Sequence, residues 1–181
     1  MASQSKEENI LKLILENSPL KEWHFNEIIK EAKVTKVVAN KWLKKYQKED
    51  LLKKIKIKGH FPYFIVGKNN PVYYSYKKFY ALEKLYKSNI ISNLLSQKAK
   101  TIIFFGSFIK GDWYKDSDID IFVYGDIVIN KNVYEEKLKR NIEMHIFKNK
   151  KEIQEVKSGL LNNIINGYII KGQIQDFIKI T

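Results

Sequence analysis

Two carboxylates one residue apart, Asp118 and Asp120, stand in the stretch FFGSFIKGDWYKDSDIDIFVYGD from Phe104 to Asp126. An acid in an apolar run is costly unless something offsets its charge. Alternate side chains of a strand share a face, so Asp118, Asp120 and Phe122 point one way and Ile119, Ile121 and Val123 the other. The pleat spacing sets the two acids about 7 Å apart. There they repel each other unless protonated or bridged by cations. Magnesium, which takes oxygen ligands from one or two carboxylates and from phosphates, suits such a pair. Upstream, the apolar run TIIFF (Thr101 to Phe105) reads as a buried strand that ends at Gly106-Ser107. A glycine there lets a phosphate approach the backbone, amides at a helix start can hold its oxygens, and Ser107 adds a hydroxyl donor.

Another carboxylate could join such a cation site from a neighbouring strand. NIEMHIF, Asn141 to Phe147, alternates cleanly, with Ile142, Met144 and Ile146 on one face and Glu143, His145 and Phe147 on the other. Glu143 is the best candidate. His145 competes for the role, but imidazole suits magnesium poorly.

The spacing Gly106-Ser107-x3-Gly111-x5-Ser117-Asp118-x-Asp120 resembles the G-S-x-x-x-G-x5-S-D-x-D signature of the polymerase-β-like nucleotidyltransferases, most of all their minimal branch. Ile109 departs from it, standing where many members carry a small residue. The resemblance implies a mixed sheet with helices on one face. It implies Asp118, Asp120 and Glu143 as the catalytic, metal-binding acids for two Mg2+ ions. Gly106, Ser107, Gly111 and Ser117 would hold the nucleoside triphosphate. Attack on the α-phosphate would transfer a nucleoside monophosphate to a hydroxyl of an RNA end, a protein or a small molecule, and release pyrophosphate.

The elements ahead of this motif read differently. EENILKLILEN (Glu7 to Asn17) carries a helical apolar stripe, and a second helix fits Phe25 to Ala32. Thr35 is a plausible N-cap for a third helix through Gln47, with Val38, Trp42 and Tyr46 as its stripe and Leu43 extending it. Lys36, Asn40, Lys41, Lys44 and Lys48 occupy the other side. Lys54, Lys56 and Lys58 then alternate with Ile55 and Ile57 as a strand with one wet face, and Pro62 to Val66 returns as an edge strand. Three helices and a hairpin resemble a winged helix-turn-helix, whose third helix enters a major groove.

Charge supports that division. The chain has a net charge of +13, and residues 1–100 hold 21 lysines against nine acids, leaving the remainder nearly neutral. A basic front half fits a nucleic-acid partner, DNA or RNA, contacted through Lys36, Asn40, Lys41, Lys44, Lys48, Lys54, Lys56 and Lys58. A solvated lysine-rich surface is the other reading, since only Arg140 among 33 basic residues is an arginine. The 44% apolar and 13% aromatic content describes a folded protein. Zero cysteines exclude disulfides and thiolate metal sites. The absence of a long apolar run or an apolar leader points to a cytoplasmic protein with no membrane partner.

The expected organisation is α+β: a winged helix-turn-helix over 1–70, a linking helix over 71–100 and a nucleotidyltransferase domain over 101–181. Two functions fit. One is an Mg-NTP-dependent nucleotidyltransferase with a nucleic-acid-binding front half, its acceptor an RNA end, a protein or a small molecule. The other is a DNA-binding regulator whose transferase-like domain senses nucleotide without turnover.

Overall fold

Ile10 and Ile14 recur at helical spacing and bury one face of α1 (Lys6–Leu15) in a computed structural model that describes residues 6–178. The chain divides into two units, 1–77 and 78–181.

In the first unit α1 is followed by β1 (Trp23–His24), α2 (Phe25–Ala32), α3 (Lys36–Lys48), β2 (Lys53–Ile55) and β3 (Tyr63–Ile65). Thr35 caps α3, its hydroxyl accepting from the Val38 N–H at 3.4 Å. The buried stripe of α3 is Ala39, Leu43 and Tyr46, one position on from the expected Val38 and Trp42, which are half-buried. Lys45 is tied to Glu7 at 3.0 Å, whereas Lys36, Asn40, Lys41, Lys44 and Lys48 are exposed.

The three strands form an antiparallel sheet in the order β1-β3-β2. Sequence patterning missed β1, because two residues are too few to show a period. β3 is therefore central, not the expected edge, and Pro62 stands just ahead of it where no ladder N–H is needed. β2 ends at Ile55, short of the expected alternation through Lys58. Residues 56–62 form the turn instead, with Gly59 at φ +82° and the His60 N–H donating to the Ile57 carbonyl at 3.1 Å. Ile57 is consequently half-exposed rather than inward.

Helix α4 (Pro71–Lys87) ends at Ser88, and α5 (Ile90–Leu95) begins after Asn89, which adopts a left-handed φ of 65°. One linking helix over 71–100 is thus two helices. The Ser88 hydroxyl takes the Ile90 N–H at 3.3 Å and donates to the Leu85 carbonyl at 2.8 Å, so local bonds replace helical ones at the break.

The second unit continues with β4 (Thr101–Phe105), α6 (Gly106–Lys110), β5 (Ile119–Tyr124), α7 (Lys131–Leu138) and β6 (Ile142–Phe147). Helices α8 (Lys150–Gln154) and α9 (Ser158–Ile165), strand β7 (Tyr168–Lys171) and a 3-10 turn at Ile174–Asp176 complete it. The sheet order is β6-β5-β4-β7, with β5–β6 parallel and the other pairs antiparallel, a mixed sheet. Ile103, Phe105 and Phe122 pack on one face with Ile153, Ile164 and Phe177. Every residue of β4 is buried, as are Ile119, Ile121 and Val123 of β5, so both faces are covered where cover on one was expected. Strand β7 follows α9 directly; Gly167 lets it turn in, since a β-carbon there would stand 2.5 Å from the Phe104 carbonyl oxygen. Among the described residues no helix is long and apolar enough to cross a membrane.

Candidate active site

The sheet register brings the acids together. Asp120 pairs with Phe105 on β4 to one side and with Glu143 on β6 to the other. Residues that pair across adjacent strands share a face, and His145, two positions after Glu143, lies on that same face. Asp120, Glu143 and His145 each offer a ligand atom within 4.8 Å of the others'. His145 Nε2 lies 3.5 Å from a Glu143 carboxylate oxygen, and its ring packs 5.2 Å from that of Phe105.

Gly106 makes room for this group. A β-carbon at that position would stand 1.8 Å from Asp120 Oδ2, and its φ of +77° suits glycine. The chain leaves β4 there, wraps the five-residue α6 and ends it at Gly111, which is buried with φ +87° and caps the helix. Ser107 is half-buried in the first turn, its carbonyl accepting from the N–H groups of Gly111 and Asp112. The side chain of Ser117 is engaged locally, accepting from the Tyr114 N–H at 2.9 Å. Gly111 and Ser117 therefore have structural tasks of their own, while Gly106 lies directly against Asp120. Asp118 precedes β5, is exposed and lies outside the three-residue cluster.

Burial, more than anything else, pushes the Asp120 carboxyl above the usual carboxylate range. The Glu143 charge adds to the rise, His145 opposes it, and Asp118 contributes least. Desolvation and neighbouring charge of the same sign both disfavour an ionised acid, and a cation reverses the second effect.

Arg140 is a residue beside the site that sequence reasoning passed over. Its Nη1 donates to the Tyr114 carbonyl at 2.7 Å and to the Ser117 carbonyl at 2.8 Å. The guanidinium lies 5.0 Å from the ring centres of both Phe108 and Trp113. One planar cation thus braces the loop ahead of Asp118 against α6. A lysine ammonium has neither the fork nor the flat face to do both. Its being the sole arginine in a lysine-rich chain was the available signal. Glu135 and Lys131 of α7 fix the strand that bears Glu143: the Ile142 N–H donates to Glu135 at 2.9 Å, and Lys131 donates to the Ile142 carbonyl at 3.1 Å.

Residues 88–174 match the family described as polymerase beta, nucleotidyltransferase. That span includes all four strands of the second sheet, Gly106-Ser107, Arg140 and every acid of the candidate site. The match supports a nucleotidyltransferase-type domain of the polymerase-β-like family in this part of the chain. No curated protein matches the sequence.

Proposed function

We propose that the second unit is a metal-dependent nucleotidyltransferase that moves a nucleoside monophosphate from a nucleoside triphosphate to an acceptor hydroxyl. The observation that carries this reading is the Asp120 carboxylate set over Gly106 and paired in register with Glu143, inside the segment that matches the family. The donor set fits a divalent cation: two carboxylates on adjacent strands, one of them with its pKa raised first by burial and then by the other's charge. Asp120 and Glu143 would hold it, with Asp118 approaching from the exposed loop. A cation bound there would neutralise phosphate charge and acidify the attacking hydroxyl.

The chain's own residues position the reactants. Gly106 offers backbone without a side chain in the way, and Ser107 a hydroxyl for the phosphates. Gly111 and Ser117 hold the loop and helix that present them. The acceptor oxygen forms a bond to the α-phosphorus as the bond to the pyrophosphate oxygen breaks. Glu143, exposed at the strand start, takes the acceptor's proton. Incubation with each labelled nucleoside triphosphate, Mg2+ and total RNA or protein tests the reading; label should enter one fraction, and none with Asp120→Asn.

The first unit is read as a winged helix-turn-helix that binds nucleic acid, its helices and hairpin lying within the expected 1–70. Its element order and its sheet order β1-β3-β2 support that reading, as does the exposed row Lys36, Asn40, Lys44 and Lys48. Together the two units suit a cytoplasmic enzyme acting on or beside nucleic acid. One observation favours a second reading: Asp118 lies outside the cluster of Asp120, Glu143 and His145. A regulator that binds nucleotide without transferring it would tolerate that arrangement, and lack of label in every fraction alongside retained nucleotide binding would select it.

A further inference from the structure

The turn between β2 and β3 holds a large aromatic side chain in water. Phe61 is 86% exposed, and Ile57 beside it in the same turn is 50% exposed. Single exposed apolar residues are ordinary, so exposure alone decides nothing. The company decides. Phe61 and Pro62 form one wall of a cleft of about 340 Å³, and His24, Phe25 and Asn26 at the start of α2 form the other. The His24 ring meets Tyr63 edge-on at 6.3 Å, and the Gly59 turn fixes the hairpin tip. Lys54, Lys56 and Lys58 on the same hairpin are exposed. The acid one residue after Asn26, Glu27, is already paired with Lys21 at 3.2 Å.

These features describe a ligand. Two aromatic rings and a proline ask for flat apolar faces. A carboxamide and an imidazole ask for an edge with hydrogen-bond donors and acceptors, and lysines alongside ask for attached negative charge. The cleft volume lies at the small end of ligand sites, enough for one such ring. A base inside a duplex has both faces and its pairing edge occupied, so the ring must be unpaired.

We propose that this cleft takes an unpaired base of a nucleic-acid strand, with Phe61 and Phe25 stacking on it, Asn26 reading its edge and the hairpin lysines holding the flanking phosphates. The proposal rests on the nucleic-acid reading of the first unit and adds to the duplex contact of α3 a separate place for a free base.

The test uses the full chain and an oligonucleotide carrying one 2-aminopurine, presented single-stranded and in a perfect duplex, with 2-aminopurine nucleotide alone as a third arm. Binding should quench the fluorescent base in the single strand and leave it unchanged in the duplex. Phe61→Ala should abolish the quench and weaken single-strand binding about tenfold, the scale of losing one base–aromatic stack, with the salt dependence unchanged. Lys58→Ala should weaken binding and flatten the salt dependence. Phe61 sits in an exposed turn, so its variant keeps the wild-type melting temperature. If Phe61→Ala binds the single strand as wild type does, the cleft inference fails while the nucleic-acid reading stands. If no strand binds at low salt, both fail. If the free nucleotide binds as tightly as the strand, the cleft is a mononucleotide site and the proposal is overturned.

Discussion

A β-carbon added to Gly106 would stand 1.8 Å from Asp120 Oδ2, so the glycine that follows β4 and the acid at the second position of β5 leave no room for a side chain between them. Gly106→Ala should act twice. The residue is held at φ +77°, where a side chain costs roughly 1–2 kcal/mol, and the methyl must displace the carboxylate. We expect a lower melting temperature and at least tenfold weaker Mg2+ affinity by calorimetry. Loss of stability with unchanged metal affinity would separate Asp120 from the metal site.

Asp120→Asn should stabilise the metal-free protein while abolishing metal binding. The folded protein holds this carboxyl above its usual pKa, chiefly through burial. A raised acid binds its proton more readily folded than unfolded. Its contribution therefore weakens stability as pH rises from the usual carboxylate range through the folded value. In chelator at pH 7 the Asn variant should melt higher than wild type, and the two should converge as pH falls. Added Mg2+ should raise the melting temperature of wild type alone.

His145 gives the site a nitrogen beside its two carboxylates. Imidazole raises affinity for transition metals along the series from Mn2+ upward far more than for Mg2+. Wild type should bind Mn2+ more tightly than Mg2+, and His145→Ala should narrow the gap. Glu143→Gln should suppress transfer far more than His145→Ala. Near-wild-type transfer by Glu143→Gln would remove Glu143 from the reaction.

Arg140→Lys should leave the fold in place and loosen the loop before Asp118. The lysine retains charge but loses the paired bonds to Tyr114 and Ser117 and the stacking on Phe108 and Trp113. We expect about tenfold weaker nucleotide affinity, with a melting temperature within a few degrees of wild type. Equal nucleotide affinity would make Arg140 a fold residue only.

What the sequence made legible was local and periodic. The alternation of IDIFVYG separates Asp120 from Ile119 and Ile121, and that of NIEMHIF sets Glu143 and His145 on one side of their own strand. It cannot say that β6 lies next to β5 rather than next to β4; that follows from tertiary packing, as does the edge position of β7. The strand β1 has two residues and no period to read, yet it makes β3 central. On α3 the burial of Ala39 in place of Val38 turns the helix by one position, which periodicity over 13 residues resolves poorly when Trp42 and Leu43 are both apolar. Arg140 was visible only as an anomaly of composition, because the Tyr114 and Ser117 carbonyls it bonds leave no mark in the sequence.

The exposed side of α3 offers a prediction that distinguishes reading from charge. Lys36, Lys44 and Lys48 fall every fourth or eighth residue with Asn40 between them, all exposed, while Lys45 is held away by Glu7. Each lysine that neutralises a phosphate releases a counterion, which costs duplex affinity about 0.9 log unit per tenfold salt. Asn40 carries the amide suited to an adenine edge. Lys44→Ala should therefore weaken all nucleic acids alike and reduce the salt slope by about one. Asn40→Ala should leave the slope and change which sequences are preferred in a selection from random duplexes. Lys45→Ala serves as the control: it removes the same charge from a residue already paired, so it should lower stability slightly and leave the slope nearly intact. If Lys45→Ala and Lys44→Ala flatten the slope equally, the contact is diffuse charge rather than a helix face, and α3 is not the reading element.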